Sequence, residues 1–413
     1  MDQIKNQYEY YTSNPNLPHL QSAQLAFNPL LAPPRFDHSA VMSNLGRIES
    51  LVDIRSPTAQ NASGSPVIDI LDFAASDVWD PASLKRFITA FRSHLLTILD
   101  DKPVPQAFSY PATIPAMEPR RSGYGQLTPT THHDTYPYID PSQYNMTGRV
   151  IFISGATKGI GRAAALSFAK AGVSGIVIAG RSVDLLHTLE AEIIMTCKHY
   201  KRPAVKVLRA MIDICDSLTI ESAMAKTREV FGHIDILVNS AATVDQPVPI
   251  SASNSGDWSF TLDTNVTGTY HLIKAALLLM NQDSNAPPQM IINLVSAIIN
   301  MPTSRSSAYT ISKLALLRMT EMFQTDLEDT PVCVVGLHPG FVLTDATKEL
   351  SEDIQAYLID SPMLAADTMV WLARDRRPWL NGRYISCNWD MGELQKMKEE
   401  IVAQDKMKFK MLL

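Results

Sequence analysis

The sequence predicts an α/β fold, a doubly wound parallel sheet of about seven strands, preceded by a mostly irregular and helical N-terminal extension. Short runs rich in Val and Ile alternate with amphipathic segments of helical length, and a glycine-rich turn follows the first run. The runs are continuously apolar, which is typical of strands buried on both faces, and their alternation with helices favours parallel pairing. The predicted strands are residues 150–154, 175–180, 204–212, 234–240, 290–296, 332–338 and 382–386.

Residues 1–147 are the predicted extension, and their composition differs from that of the remaining chain. Of the 26 prolines, 16 fall in the first 148 residues, which indicates long extended connections. Asp80 suits a helix N-cap, Pro81 suits the first turn, and apolar residues then recur at three-four spacing. We therefore predict an amphipathic helix near 81–99 that packs on its own chain or on a second subunit. The other predicted units are a core domain at 148–392 and a C-terminal helical tail at 393–413.

Charge and cysteine usage argue against several classes of function. A net charge of -6 and a pI near 5.9 give no reason to expect nucleic acid or an anionic membrane as a partner. The four cysteines are widely spaced, so the sequence predicts neither a disulfide framework nor a metal site. His132 and His133 lack further ligands at metal-binding spacing, which predicts solvated loop residues. Because apolar runs of membrane-spanning length and a secretory signal are both missing, we expect a soluble, cytoplasmic protein.

Three glycines, Gly155, Gly159 and Gly161, lie in the first strand-to-helix connection with the spacing G-x-x-x-G-x-G. Glycines in such a connection let the backbone turn sharply and approach a pyrophosphate closely. The N–H groups at the helix N-terminus then bind the phosphates. The alternative interpretation is a tight connection that binds nothing.

The end of the second predicted strand indicates which nicotinamide cofactor would bind. A carboxylate there suits NAD, whereas a basic residue accommodates the extra phosphate of NADP. Arg181 and Ser182 follow this strand directly, and the nearest acid, Asp184, lies further along. Lys158, in the glycine turn, adds a second cation. Two cations near one ribose favour NADP(H), although either one alone is typical of a solvated surface charge.

Tyr309 and Lys313 lie four residues apart in a segment with helical spacing, so their side chains share one face of the helix. A phenol has an ordinary pKa of about 10, and a neighbouring ammonium would lower that pKa toward the range useful for proton transfer. Ser296 ends a predicted strand, at the edge where open α/β sheets bind their ligands. The three residues predict acid–base chemistry beside a dinucleotide.

These motifs, in this order, resemble the classical short-chain dehydrogenase/reductase family, over residues 149 to about 390. Two departures are mild: Ser154 replaces the usual threonine, and NSAA replaces NNAG. A looser resemblance, to fungal reductases that act on specialised metabolites, rests on residues 128–142 and on NWDM at 388–391. The main resemblance is carried by SGATKGIG (154–161), Asp213, NSAA (239–242), Asn265 in LDTNVTG, Ser296 in NLVSA, YTISK (309–313) and HPGFVLTD (338–345).

The main resemblance implies a Rossmann-type fold and reversible hydride transfer between NADP(H) and a carbonyl or secondary alcohol of a small organic substrate. In reduction, Ser296 would polarise the carbonyl oxygen, Tyr309 would deliver the proton, and Lys313 would lower the pKa of the phenol. Asn265 would hold a water in the proton relay. The implied cofactor-binding residues are Ser154, Gly155, Thr157, Lys158, Gly159, Ile160, Gly161, Arg181, Ser182, Asp213, Asn239, Ala241, Tyr309, Lys313, Pro339, Gly340, Val342 and Thr344.

The resemblance also implies an assembly. In the family, the helices near 257–281 and 307–328 pair across a subunit interface, so we expect a homodimer or a homotetramer. The resemblance further implies that Pro339, Gly340 and Thr344 border the nicotinamide. Residues 345–361 follow them and are a candidate substrate lid. His338 either lines the pocket or serves a structural role.

Two other classes of function stay open at this point. A non-redox isomerase, dehydratase or cyclase would use the same Ser296, Tyr309 and Lys313 and keep NADP as a structural element. A regulatory protein that senses a nucleotide would need none of these three residues, so their joint presence argues against that class.

Overall fold

One parallel sheet of seven strands organises the chain. A computed structural model describes residues 127–280, 287–300, 305–345, 347–348, 350 and 352–410. In these residues the strand order is β3-β2-β1-β4-β5-β6-β7, with every pair parallel, which confirms the predicted doubly wound fold. The predicted helix near 81–99 lies outside the described residues. The strands are β1 Val150–Ser154, β2 Gly175–Gly180, β3 Lys206–Met211, β4 Ile236–Asn239, β5 Gln289–Leu294, β6 Val332–His338 and β7 Tyr384–Ser386.

The helices cover both faces of the sheet, and several begin at side-chain caps. Ser182, Asp216 and Ser361 each accept a hydrogen bond from a backbone N–H in the first turn of the helix that follows. Pro362 occupies a first-turn position, where its missing N–H costs no hydrogen bond. The helices are α1 Gly159–Lys170, α2 Val183–His199, α3 Ser217–Phe231, α4 Ser255–Leu262, α5 Thr269–Leu277, α6 Ser307–Asp326, α7 Glu352–Gln355, α8 Pro362–Arg374, α9 Met391–Lys396 and α10 Lys398–Ala403.

Two hydrophobic clusters form the core, one on each face of the sheet. Alternate residues of a strand point to opposite faces. Thus Ile151 and Ile153 of β1 join one cluster with α1, α2 and α8, while Phe152 joins the other with α3 and α5. All three side chains are fully buried. Burial on both faces accounts for the continuous apolar runs in the sequence.

The packed unit extends past the predicted core limits at both ends of the described chain. Residues 127–147 are irregular, as expected for the extension, apart from two short 3₁₀ turns. Nevertheless Ile139 and Met146 are buried in the same cluster as the sheet. Leu394 and Ile401, from α9 and α10, are buried there too. The boundaries at 148 and 392 stay a prediction, but the hydrophobic core crosses both.

Residues 128–136, here called the strap, run antiparallel to the segment that precedes α9. Thr131 forms an isolated bridge with Trp389, and the imidazole of His132 lies 2.9 Å from the carboxylate of Asp390. The N–H and the hydroxyl of Thr130 both donate to the carboxylate of Glu393, at 2.9 and 2.8 Å. The two segments that carried the looser resemblance are therefore neighbours in space.

Candidate active site

The glycine turn packs so closely that larger residues do not fit at two of its positions. Gly155 has a positive φ of 63°, and a Cβ there would lie 2.7 Å from the backbone of Ala241. A Cβ on Gly161 would lie 2.3 Å from the carbonyl oxygen of Gly155. Helix α1 begins at Gly159, within the turn, so its first N–H groups face the carboxyl edge of the sheet. This arrangement suits a bound pyrophosphate.

Ser154 and Asn239 end neighbouring strands in register, and both bond within the protein. The hydroxyl of Ser154 accepts a hydrogen bond from the N–H of Ala241 at 3.3 Å. Serine in place of threonine therefore keeps the hydroxyl that joins the two strand ends. The amide of Asn239 donates to Asn293 at 2.7 Å inside the sheet. Its side chain thus ties β4 to β5.

The two cations predicted near the adenosine ribose differ in their partners. The ammonium of Lys158 lies 2.9 Å from the carboxylate of Asp345, which also pairs with Lys348. Arg181 is exposed, and its guanidinium forms no ion pair within the described chain. Ser182 caps α2, while the carboxylate of Asp213 accepts from the N–H of Cys215. Of the two cations, only Arg181 has no ion-pair partner among the described residues.

Ser296, Tyr309 and Lys313 come together at the carboxyl edge of the sheet. Ser296 lies just after β5, while Tyr309 and Lys313 lie in the first two turns of α6. The hydroxyl of Ser296 is close enough to Tyr309 to lower the pKa of the phenol, and it accepts a hydrogen bond from the N–H of Ile298 at 3.3 Å. The ammonium of Lys313 lies 5.6 Å from the centroid of the Tyr309 ring and donates to the carbonyl of Leu294 at 2.7 Å. A phenol, an aliphatic hydroxyl and a cation thus share one site.

The charges in this site differ from the sequence-based expectation. Burial is the main cause that raises the pKa of Tyr309 to about 12; the Ser296 hydroxyl lowers this pKa in part, and the charge of Asp245 adds to the rise. Burial also lowers the pKa of Lys313 to about 8. The pKa of Tyr309 thus lies above, and not below, its ordinary value, with burial as the largest cause; that Lys313 lowers this pKa stays a prediction. Tyr309 is therefore a protonated phenol at neutral pH.

Asn265 was expected within the helix near 257–281. It lies instead in a π-helical turn, Asp263–Gly268, between α4 and α5. Its amide donates to the carbonyl of Thr243 and to the hydroxyl of Ser312, both at 2.9 Å. Its side-chain oxygen accepts from the N–H of Thr243 at 2.9 Å. Asn265 therefore links the loop after β4 to α6, beside Lys313. π-Helical turns of this kind are frequent at functional sites.

The predicted nicotinamide side follows β6. Gly340 has a positive φ of 84°, and Val342 forms an isolated bridge with Ile359. The methyl group of Thr344 lies 3.1 Å from the position that a Cβ on Gly159 would take. The loop after β6 therefore closes against the glycine turn.

A family model described as short chain dehydrogenase matches residues 149–355. The chain belongs to the short-chain dehydrogenase family. Its members are oxidoreductases that use nicotinamide cofactors and act on small molecules, so the present chain is an oxidoreductase of that family.

Fungal relatives resemble this dehydrogenase over most of their own length. It is 38% identical over 283 residues to the short chain dehydrogenase mpl6 of Monascus purpureus, covering 68% of this chain and 95% of the relative. It is 36% identical over 289 residues to the short chain dehydrogenase pigC of Monascus ruber, covering 69% and 94%. Among solved structures, a short chain dehydrogenase from Burkholderia cenocepacia in complex with NADP is 22% identical, with a TM-score of 0.51 and coverage of 59% and 97%. That structural likeness supports the fold.

Two further residues contact the site directly: Asp245, which the sequence did not place there, and His338, for which the sequence left two roles open. The carboxylate of Asp245 accepts from the N–H of Tyr309 at 3.1 Å. The Nδ1 of His338 accepts from the N–H of Ala297 at 3.2 Å, and burial lowers the pKa of His338 to about 4, so the imidazole is neutral. His338 thus holds the backbone next to Ser296, which is a structural use. No sequence pattern marks Asp245, since it lies in an aperiodic loop.

The described residues form no group of three or more His, Cys, Asp or Glu side chains that could hold a metal ion. Over the same part of the chain, every helix is too short or too polar to cross a membrane.

Proposed function

We propose that this dehydrogenase is NADP(H)-dependent and transfers hydride between the nicotinamide and a carbonyl or secondary alcohol of a small organic substrate. One observation carries the proposal: the side chains of Ser296, Tyr309 and Lys313 come together, with the Ser296 hydroxyl close enough to lower the pKa of Tyr309 and the ammonium of Lys313 5.6 Å from the tyrosine ring. This cluster lies at the carboxyl edge of the sheet, where ligands of doubly wound folds bind.

The residues around the site fit a dinucleotide. The tight glycine turn at the start of α1 offers backbone N–H groups to a pyrophosphate. Arg181, exposed after β2 and without an ion-pair partner among the described residues, suits the 2′-phosphate of NADP. Lys158 would bind the phosphate only by sharing or leaving Asp345, so Arg181 is the main support for NADP over NAD.

In the proposed reduction, bound NADPH supplies the hydride. Ser296 orients the substrate carbonyl oxygen by a hydrogen bond. Tyr309 donates a proton to that oxygen, since its pKa of about 12 keeps the phenol protonated at neutral pH. Lys313, whose pKa is lowered to about 8, can then return a proton toward the phenolate. Asn265 fixes the neighbouring backbone through Thr243 and Ser312.

The biological setting is part of the proposal. The Monascus relatives support a substrate from fungal specialised metabolism. A cytoplasmic location is supported by the four cysteines, which are free thiols. Exposed apolar side chains on α4, α5 and α6 support a homodimer or homotetramer; they are Phe260, Tyr270, Ile311 and Met322.

Deuterium transfer tests this function. The full-length protein is incubated with NADPH deuterated at the transferable C4 position and with a panel of small ketones and aldehydes. Deuterium in an alcohol product, with matching loss of NADPH absorbance, is the expected result. A product that forms without deuterium or NADPH consumption would instead indicate a non-redox isomerase, dehydratase or cyclase.

A further inference from the structure

A buried carboxylate lies directly behind the turn that follows β6. The side chain of Asp360 is 2% exposed. One of its oxygens accepts from the N–H of Phe341 at 2.6 Å, and the N–H of Asp360 donates to the carbonyl of Phe341 at 3.0 Å. A Cβ on Gly340 would lie 2.7 Å from the same carboxylate oxygen, Oδ2. Asp360 therefore hydrogen bonds to this turn at Phe341 and packs against it so closely that only glycine fits at position 340.

The second oxygen of Asp360 pairs with His133 of the strap. Nδ1 of His133 lies 2.6 Å from Oδ1 of Asp360, and the His133 side chain is 59% exposed. The carbonyl of His133 also accepts from the N–H of Ser361 at 2.8 Å. The side-chain pair joins residues 227 positions apart, across the whole dehydrogenase domain. Both residues lie outside the stretch 149–355 matched by the family model.

A buried carboxylate that loses one partner is left with an uncompensated charge, and its remaining hydrogen bonds then readjust. Here the remaining bonds are those to Phe341, so loosening His133 would shift the turn. An alanine at position 133 removes only the imidazole, since the backbone bond to Ser361 does not need a side chain. Because the imidazole is largely exposed, its removal opens no core cavity.

We propose that His133 and Asp360 are positioning residues: together they fix the turn Pro339–Phe341 against which the nicotinamide half of the cofactor packs. The inference rests on the proposed function and on the predicted place of the nicotinamide beside the loop after β6. It gives the strap a role in cofactor geometry, although the strap touches none of the reacting groups.

Isothermal titration calorimetry on the full-length protein tests the pair with two ligands, NADP⁺ and 2′-phospho-ADP-ribose, which lacks the nicotinamide. His133→Ala is expected to weaken NADP⁺ binding about tenfold and to change binding of the fragment less than about twofold. His133→Asn places an amide nitrogen close to the position of Nδ1 and is expected to restore most of the lost affinity. This split between ligands is a readout that a general loss of stability would not produce.

His132→Ala is the matched control. This neighbouring histidine belongs to the same strap and pairs in the same way with an aspartate, but its partner Asp390 lies in the segment before α9. The His132→Ala variant is expected to bind both NADP⁺ and the fragment within about twofold of the wild-type affinities. Should His133→Ala lower the thermal midpoint sharply, Asp360→Asn gives a second test, since asparagine still accepts from Phe341; the same ligand split is expected.

Suppose that the wild type binds both ligands and that His133→Ala binds NADP⁺ as tightly as the wild type does. This result overturns the inference about His133 and Asp360 but leaves the proposed function standing. Equal weakening of both ligands also overturns the inference, since the effect would then not be confined to the nicotinamide. Failure of the wild type to bind either ligand overturns the proposed function and this inference with it.

Discussion

The carboxylate of Asp245 accepts a hydrogen bond from the backbone N–H of Tyr309, 3.1 Å away, and so caps helix α6 at the residue that carries the phenol. The helix needs this cap, because Ser306 precedes it without making a side-chain cap. The same carboxylate raises the pKa of the phenol. A loop residue 64 positions away therefore affects both the position and the acidity of the proposed proton donor.

Asp245→Asn keeps a hydrogen-bond acceptor and removes the charge. Since a negative charge disfavours the phenolate, its removal lowers the pKa of Tyr309. Reduction needs the protonated phenol, so the rate of reduction falls as pH rises through the pKa of Tyr309. In Asp245→Asn this fall is expected at a lower pH than in the wild type. The pH dependence of kcat for NADPH-dependent reduction measures this change. If the fall of kcat at high pH occurs at the same pH as in the wild type, or at a higher pH, the role of Asp245 is contradicted.

Asp245→Ala removes the cap as well as the charge. Its free energy of unfolding is expected to fall by about 1 kcal/mol relative to Asp245→Asn, which is the usual contribution of an N-cap. Urea denaturation of the two variants measures the difference. Equal stabilities would show that the hydrogen bond to Tyr309 does not cap the helix.

Lys313→Met tests the burial of the ammonium. The pKa of Lys313 falls from 10.5 to about 8 on folding, so between these values the unfolded chain binds more protons than the folded protein. The wild type is therefore expected to gain up to about 3 kcal/mol of stability relative to Lys313→Met as pH rises through this window. Below pH 8 the difference between the two proteins should level off. A difference that does not change with pH would mean that Lys313 is not desolvated.

Arg181→Ala and Lys158→Ala test the choice of cofactor. Arg181 has no competing ion pair in the part of the chain that the structure describes, so its loss is expected to weaken NADP⁺ binding about tenfold or more and to leave NAD⁺ binding nearly unchanged. Lys158 pairs with Asp345, so its loss is expected to have a smaller effect. Dissociation constants of NADP⁺ and NAD⁺ for the wild type and both variants show which substitution weakens binding more. A larger loss in Lys158→Ala would reverse the assignment.

Gly161→Ala tests the packing of the glycine turn. A Cβ at this position meets the backbone oxygen of Gly155 at 2.3 Å, and backbone yields less readily than a flexible side chain. The expected loss of stability is about 2 kcal/mol, together with weaker dinucleotide binding. Gly256→Ala, at the start of α4, is the control, since its Cβ would meet only a side-chain oxygen of Asn254 at 3.0 Å. Similar stabilities for both variants would contradict the close approach.

Local sequence patterns were enough to predict most of the fold and much of the candidate site. Buried strands such as β1 and β6 read as continuous apolar runs, and both ends of each were predicted. The edge strand β3 was predicted too long, at 204–212 against Lys206–Met211, because its exposed, mixed sequence sets no clear limit. Tyr309 and Lys313 were found because helical spacing places them on one face.

Other parts of the site depend on long-range packing that no local pattern records. The pairs Asp245–Tyr309 and His133–Asp360 join loops whose meeting depends on the whole sheet. The pKa of Tyr309 depends on the same packing: the sequence shows a nearby lysine, but the burial that is the largest cause of the raised pKa follows from tertiary structure.

The central claim, that Tyr309 is the proton donor, is tested most directly by Tyr309→Phe. With a carbonyl substrate identified by deuterium transfer, the variant is expected to lose at least about a hundredfold in kcat, since it keeps the ring and loses the transferable proton. Its affinity for NADPH, measured by calorimetry, is expected to stay within about twofold of the wild type. Tyr309→Phe that turns over NADPH at the wild-type rate would contradict the account.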